Sequence, residues 1–255
     1  MQRIIILFVI LILSGLIHGN TLAKDKIIFG TFFIPYRVIN EDQGNFIDLT
    51  KIIARKTGLN IKIIMKPAKR TRRNFKNKKI DVIFPGLDVF FTSESELIGS
   101  YVFDTKNDYV FTRRGEPLLK TIKDLEGKKI GITSGYPYQK KLINNPLINF
   151  KKAETDIHNV RKLFKKRIDA FICEENSGLT AFIDTGMINK VQYDPDNPLS
   201  KLDVFYAFQN DEKGKKLAKI VSKALKEMDD DGSLKKLMYP KIRMLYKSIS
   251  QDTKK

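Results

Sequence analysis

The chain has 255 residues, with 47 Lys and Arg against 29 Asp and Glu for a formal net charge of +18, and its only cysteine is Cys173. That length suits one large α/β domain or two lobes of about 100 residues each, and a lone cysteine excludes an internal disulfide, so stability must come from apolar cores. Strong basicity raises nucleic acid as a partner, but no nucleic-acid motif accompanies it and none is expected.

In chain order, Met1-Gln2-Arg3 is a positive start, Ile4 to Ile17 is almost wholly apolar, and Thr21-Leu22-Ala23 is a small-residue cleavage site before Lys24. This is the pattern of a secretory signal peptide cleaved near Ala23. An apolar run of about 14 residues is short of the roughly 20 that span a bilayer. Cleavage removes Arg3 and leaves 232 residues with net charge +17. With no cysteine at the cleavage point, no lipid anchor is expected, and the mature chain is expected to be soluble.

Beyond the leader, strands and helices alternate, which argues for parallel sheets covered by helices. Lys26 to Thr31 (KIIFGT) reads as a strand, Asp48 to Lys56 as a helix with Leu49, Ile52 and Ile53 at helical spacing and Gly58 at its end, and Ile61 to Met65 as the next strand. Pro67 opens a basic helix. It belongs to the run Lys62 to Lys79, whose nine Lys and Arg meet no acid until Asp81. Such a run reads as a solvated face, with attraction to acidic envelope polymers or anionic lipid as the alternative. Ile80 to Pro85 (IDVIFP) is a buried strand ending at Gly86, and Tyr109 to Arg113 is extended.

Thr121 to Tyr138 (TIKDLEGKKIGITSGYPY) combines a turn, a short apolar strand and a Ser-Gly-Tyr-Pro break. If the break opens a helix, unpaired backbone N–H groups form a cradle for a carboxylate or another anion. Ile157 to Phe164 is then helical, Ile168 to Cys173 (IDAFIC) a strand, Leu179 to Ile183 a short helix ending near Gly186, and Asp203 to Phe208 extended. Leu217, Ile220, Val221, Ala224, Leu225 and Met228 mark the clearest amphipathic helix.

Several motifs follow one another in a telling order. Gly44-Asn45-Phe46-Ile47-Asp48-Leu49, Pro67-Ala68-Lys69-Arg70-Thr71, Asp81-Val82-Ile83-Phe84-Pro85-Gly86, Leu125 to Ile132 followed by Gly135, Arg167-Ile168-Asp169-Ala170, and Asp231-Gly232-Ser233-Leu234 recur at plausible spacings. In this order the chain from about Lys26 to Pro240 resembles the family 3 extracellular solute-binding proteins, the periplasmic receptors of polar amino-acid ABC transporters. The resemblance implies an α/β, two-lobed type II periplasmic-binding-protein fold, with a mixed, mostly parallel sheet in each lobe flanked by helices. Lobe one would hold residues 24–111 and 204–255, lobe two residues 112–203, with hinges at Tyr109 to Arg113 and Asp203 to Phe208. It further implies a periplasmic monomer that closes around a small polar solute, an amino acid or a related cationic metabolite, and presents it to an inner-membrane ABC permease.

The expected site is divergent. Members that bind amino acids grip the carboxylate with an Arg beyond the Asp81 to Gly86 strand, but Leu87 to Glu96 contains none. Arg70 and Arg37 are the expected substitutes. Pro85, Gly86, Leu87 and Asp88 at that strand end, and Ser134, Gly135 and Tyr136 at the break, are expected to face ligand. Tyr136 stands where the family has Thr. Glu174 follows IDAFIC where the family places an acid for the ligand ammonium, and Tyr36 matches an aromatic packed over the ligand, with cation–π contact to an ammonium.

No cofactor or metal is expected, because no Cys/His cluster has ligand spacing and no phosphate loop occurs. His158 and Cys173 carry no mark of a base or nucleophile, so the chain reads as no enzyme. Two alternatives stand beside the receptor: a stand-alone periplasmic sensory or interaction module, and a prephenate- or arogenate-type dehydratase on the same scaffold with Glu174 as general acid.

Overall fold

The computed structural model describes residues 25–91, 93, 96–238, 246 and 248; the expected signal peptide lies outside the described residues. Strand β1 (Ile27–Thr31), helix α1 (Asn45–Thr57), β2 (Ile61–Met65), α2 (Ala68–Lys76) and β3 (Val82–Gly86) alternate, followed by the short β4 (Leu97–Gly99) and the long β5 (Asp104–Arg113). A second α/β unit comprises β6 (Lys129–Thr133), α3 (Lys140–Ile143), β7 (Asn149–Ala153), α4 (Asp156–Phe164), β8 (Ala170–Glu174) and α5 (Glu175–Asp184). The short β9 (Val191–Gln192) and the long β10 (Ser200–Gln209) lead back to helices α6 (Glu212–Asp230) and α7 (Ser233–Met238).

The main path of the sheet is β2-β1-β3-β10-β5-β8-β6-β7. Both outer thirds are parallel, while β3–β10, β10–β5 and β5–β8 are antiparallel. The two long strands therefore join two α/β lobes. Asp104 to Asp108 pairs with Ser200 to Val204, whereas Tyr109 to Phe111 is already committed to β8 and Phe205 to Gln209 to β3 and β4. The shared ladder thus lies a few residues before the crossings expected from sequence. Strand propensity continues through both segments, so it does not mark where the pairing partner changes.

Each lobe has its own core. Phe29, Phe84, Tyr206 and Phe208 centre one, with α1, α6 and α7 packed on it; Phe111, Phe171, Phe182 and Tyr193 centre another. Tyr246 joins this second cluster, its ring 4.9 Å from Tyr193, whereas Leu234 and Met238 of α7 belong to the first. The aspartates of the IDVIFP and IDAFIC motifs do the same job in the two lobes. Asp81 accepts the N–H of Ile28 at 2.7 Å and Asp169 that of Lys129 at 2.7 Å, each satisfying a backbone donor at the start of the adjacent parallel strand.

Gly44 holds the loop that carries Arg37. It precedes α1 with φ 122°, and a Cβ there would lie 2.3 Å from the Arg37 carbonyl oxygen, which accepts the Phe46 N–H at 3.0 Å. Gly58, which ends α1 at φ 69°, has open space around it. Gly44→Ala is therefore expected to cost ~2 kcal/mol or more in denaturant unfolding, from strain plus collision, and Gly58→Ala only ~1 kcal/mol, from strain alone. Equal costs would show that the Arg37 loop yields freely.

Candidate functional site

A cleft opens between the lobes beside the β5–β10 ladder. Lobe one contributes Phe32, Phe33, Ile34, Pro35 and Arg37 from the β1–α1 segment, Phe46 from α1, Ala68 and Arg72 from α2, Pro85 from β3, and Leu87 and Phe90 beyond it. Lobe two contributes Gly135, Tyr136 and Pro137 from the break, and Glu174 and Ser177 from the β8–α5 junction. The long strands supply Asp104, Thr105, Lys106 and Val204 to the floor.

Of the residues expected from sequence, Arg37, Pro85, Leu87, Gly135, Tyr136 and Glu174 meet in this cleft. Tyr36 is 51% exposed, at φ 60°, and only its neighbours Pro35 and Arg37 face the cleft. Gly86 is buried against β10, where a Cβ would stand 2.9 Å from that of Ala207. Asp88 lines a separate groove with Phe91, Ser100 and Lys140. Ser134 and Arg70 are exposed and outside the cleft wall.

The missed Arg72 was legible in one respect. Positions one helical turn apart share a face and positions two apart do not. Ala68 and Arg72 therefore look into the cleft while Arg70 looks away. Arg72 is half-buried, its guanidinium carbon 4.9 Å from the centre of the Phe90 ring, and burial pulls its pKa below the ordinary arginine value. No ion-pair partner of Arg72 occurs among the described residues. The remaining basic side chains of α2, Lys69, Arg70, Arg73 and Lys76, are exposed, as a solvated face requires.

Two other cations in the cleft are already engaged. Arg37 pairs with Asp104 at 3.0 Å, donates to the Met238 carbonyl at 3.1 Å and lies 5.3 Å from the Phe46 ring centre. Burial pushes the Asp104 carboxyl up to about 6, against the downward pull of Arg37. Lys106 pairs with the fully buried Asp108, whose carboxyl is likewise raised by burial.

Glu174 is the N-cap of α5. Its two carboxylate oxygens accept from the Asn176 side chain at 2.7 Å and from the Ser177 N–H at 3.0 Å. A helix start favours negative charge there. Each oxygen retains acceptor capacity toward the cleft, and no cation pairs with Glu174 among the described residues.

The Ser-Gly-Tyr-Pro break does not open a helix, so the helix-start cradle expected from sequence does not form there. The N–H groups of Ser134 and Tyr136 bond to Ala153 and Thr133 carbonyls, and that of Thr133 to the Tyr138 hydroxyl. The next helix is the four-residue α3, starting at Lys140. Tyr138 buries its ring and draws the chain back on itself, its hydroxyl accepting the Thr133 N–H and donating to the Ile172 carbonyl. Tyr136 instead offers a ring wall, its hydroxyl anchored at 3.0 Å to Asp156, which also accepts from Thr133. His158 is exposed, and Cys173 is fully buried with its thiol pushed up by desolvation.

Among the described residues no His, Cys, Asp or Glu cluster is arranged to hold a metal, and no helix is long and apolar enough to cross a membrane. Comparison with known proteins agrees with the geometry. The chain is 26% identical over 235 residues to the arginine-binding extracellular protein ArtP of Bacillus subtilis (strain 168), covering 86% of this chain and 87% of that protein. It is 23% identical over 210 residues to the putative amino-acid ABC transporter-binding protein PatH of Vibrio harveyi, covering 80% and 83%. The crystal structure of the P235GK mutant of ArgBP from T. maritima shares the fold, with a TM-score of 0.63 at 20% identity, over 85% of this chain and 94% of that one. The fold is the two-lobed type II periplasmic-binding-protein fold. Residues 26–239 match the model of the bacterial extracellular solute-binding proteins, family 3, and the chain belongs to that family.

Proposed function

We propose that the protein is a secreted, periplasmic receptor that captures a small amino-acid-type solute between its lobes and delivers it, chemically unchanged, to an inner-membrane ABC permease. The observation that carries this reading is a cleft walled by both lobes and floored by the two strands that join them. A solute touching both walls stabilises the closed form over the open one, because a ligand shifts an equilibrium only through unequal affinity for its two states. The names of ArtP and PatH, an arginine-binding and an amino-acid ABC transporter-binding protein, support the solute class and the importer. The lobes meet at the Asp104–Asp108 and Ser200–Val204 ladder, and bending there is the closing motion.

The test is a thermal-shift screen over amino acids, polyamines, opines and small organic acids, followed by solution scattering. At least one compound is expected to raise the melting temperature and reduce the radius of gyration, since saturation at 100 times Kd adds about 2.7 kcal/mol to native-state stability. A screen in which nothing shifts melting or scattering would end the receptor reading.

A further inference from the structure

We infer that the outer face of helix α2 docks on an anionic lipid surface, with Lys69, Arg70, Arg73 and Lys76 resting on phospholipid headgroups. All four are exposed, and so are Lys62, Lys66, Lys78 and Lys79 on either side of the helix. None of these eight cations has an ion-pair partner among the described residues. Two acids close to this run are engaged elsewhere: Asp81 pairs with Lys213, and Glu41 accepts the Met65 N–H at 2.8 Å.

Such a face goes beyond ordinary solvation. An exposed helix commonly mixes charges of both signs, as α6 does, where Lys215 meets Glu212 and Glu227 meets Lys56. Helix α2 contains no acid. Lys69 and Arg73 stand four residues apart and Arg70 and Arg73 three apart, spacings at which like charges repel. Lys69 and Arg70 also occupy the first turn, where the helix dipole disfavours cations. Both effects cost stability, and burial offsets neither, because these side chains lie in solvent. An anionic surface laid against the helix offsets both.

Lys69, Arg73 and Lys76 form one stripe along α2, bordering the cleft edge marked by Ala68 and Arg72. No large apolar side chain between Lys62 and Lys79 is exposed. A straight row of cations without an apolar wedge suits a planar array of headgroups, held by charge and not by insertion. The choice of a bilayer over a soluble polyanion rests on the receptor reading, because a receptor that serves a membrane permease works at a lipid surface.

The experiment is co-sedimentation of the purified protein with vesicles of phosphatidylcholine alone or with about one-third phosphatidylglycerol. The parent is expected to bind only the phosphatidylglycerol vesicles, and to leave them as salt rises from about 0.1 M to about 1 M and the Debye length shrinks to about 3 Å. Replacing the four cations together (Lys69→Gln, Arg70→Gln, Arg73→Gln and Lys76→Gln) is expected to weaken binding at least about hundredfold, at about fivefold per charge held near the surface. The variant should melt at or above the parent temperature, since like-charge contacts are removed. A control with the same loss of charge from exposed positions of α6 (Lys216→Gln, Lys219→Gln, Lys223→Gln and Lys226→Gln) should weaken binding less than about tenfold, because charges beyond a Debye length of the surface are screened.

Lysine acetylation of the parent needs no variant to fold: vesicles are expected to shield Lys69 and Lys76 and to leave Lys219 and Lys223 reactive. Equal losses in the two variants, equal shielding of the two helices, or no binding to phosphatidylglycerol vesicles would overturn the assignment. So would dextran sulfate shielding Lys69 and Lys76 as well as vesicles do at matched charge, which would make the face a polyanion site. Each of these failures leaves the thermal-shift test of the receptor reading standing.

Discussion

Arg37→Met is expected to lower stability at pH 7 by about 3 kcal/mol, whereas Asp104→Asn should leave it within about 1 kcal/mol of the parent or raise it. The two partners differ because of what each leaves behind. Their side chains are 11% and 16% exposed and 3.0 Å apart. Removing Arg37 leaves a buried carboxylate with no cation, and the Met238 carbonyl without its donor. Removing the charge of Asp104 leaves Arg37 with that carbonyl and the Phe46 ring.

Proton linkage points the same way. Burial raises the Asp104 carboxyl from 3.8 to about 6 even with Arg37 beside it, so the folded state holds the proton more tightly than the unfolded chain. Its contribution to stability is therefore fully present below about pH 4 and is lost as pH rises through about 6. Denaturant unfolding at pH 7 and pH 5 checks both statements. The Arg37→Met deficit should shrink at pH 5, as Asp104 becomes neutral, and Asp104→Asn should remove this part of the pH dependence. A deficit for Asp104→Asn as large as that for Arg37→Met would show that the pair is a net stabilising bridge.

Tyr206→Ala is expected to cost about 4 kcal/mol and Tyr206→Phe only about 1 kcal/mol. Tyr206 is fully buried on β10, with its ring centre 4.8 Å from that of Phe103, 5.4 Å from Phe84 and 5.8 Å from Phe29. Truncation opens a cavity where four aromatic rings meet, and close-packed neighbours relax only partly into it. The hydroxyl matters less. Thr50 donates to the Phe46 carbonyl at 2.8 Å, which leaves Tyr206 as donor to the Thr50 oxygen at 2.9 Å. Phenylalanine deletes that one hydrogen bond and keeps the rings. Urea unfolding of both variants checks the ratio; a Phe variant as unstable as the Ala variant would mean that the buried hydroxyl, not ring packing, holds this core.

Much of the fold was legible locally. KIIFGT, IDVIFP and IDAFIC are apolar runs flanked by turn residues, and they became β1, β3 and β8. The Leu217 to Met228 pattern became α6, which buries those positions except the half-buried Ile220. What stayed hidden had little apolar signal. Strand β7, NFKKA, has no fully buried residue and exists because β6 pairs with it in parallel. The first residues of β5 and β10 are polar, held by each other in the ladder.

The sequence alone determined the alternation of strands and helices and the strand ends around which a site would form. Periodicity and turn chemistry act over a few residues and leave their mark in the local order of side chains. Only the tertiary structure decided which residues face the cleft. Arg37 met Asp104 across 67 positions, Arg72 and not Arg70 lined the cleft through helical rotation, and the Ser134 and Tyr136 N–H groups of the break found carbonyls of the same chain. Those outcomes depend on how the lobes dock through β5 and β10, where residues distant along the chain settle one another's charge and hydrogen bonds, and no short window of sequence contains both partners.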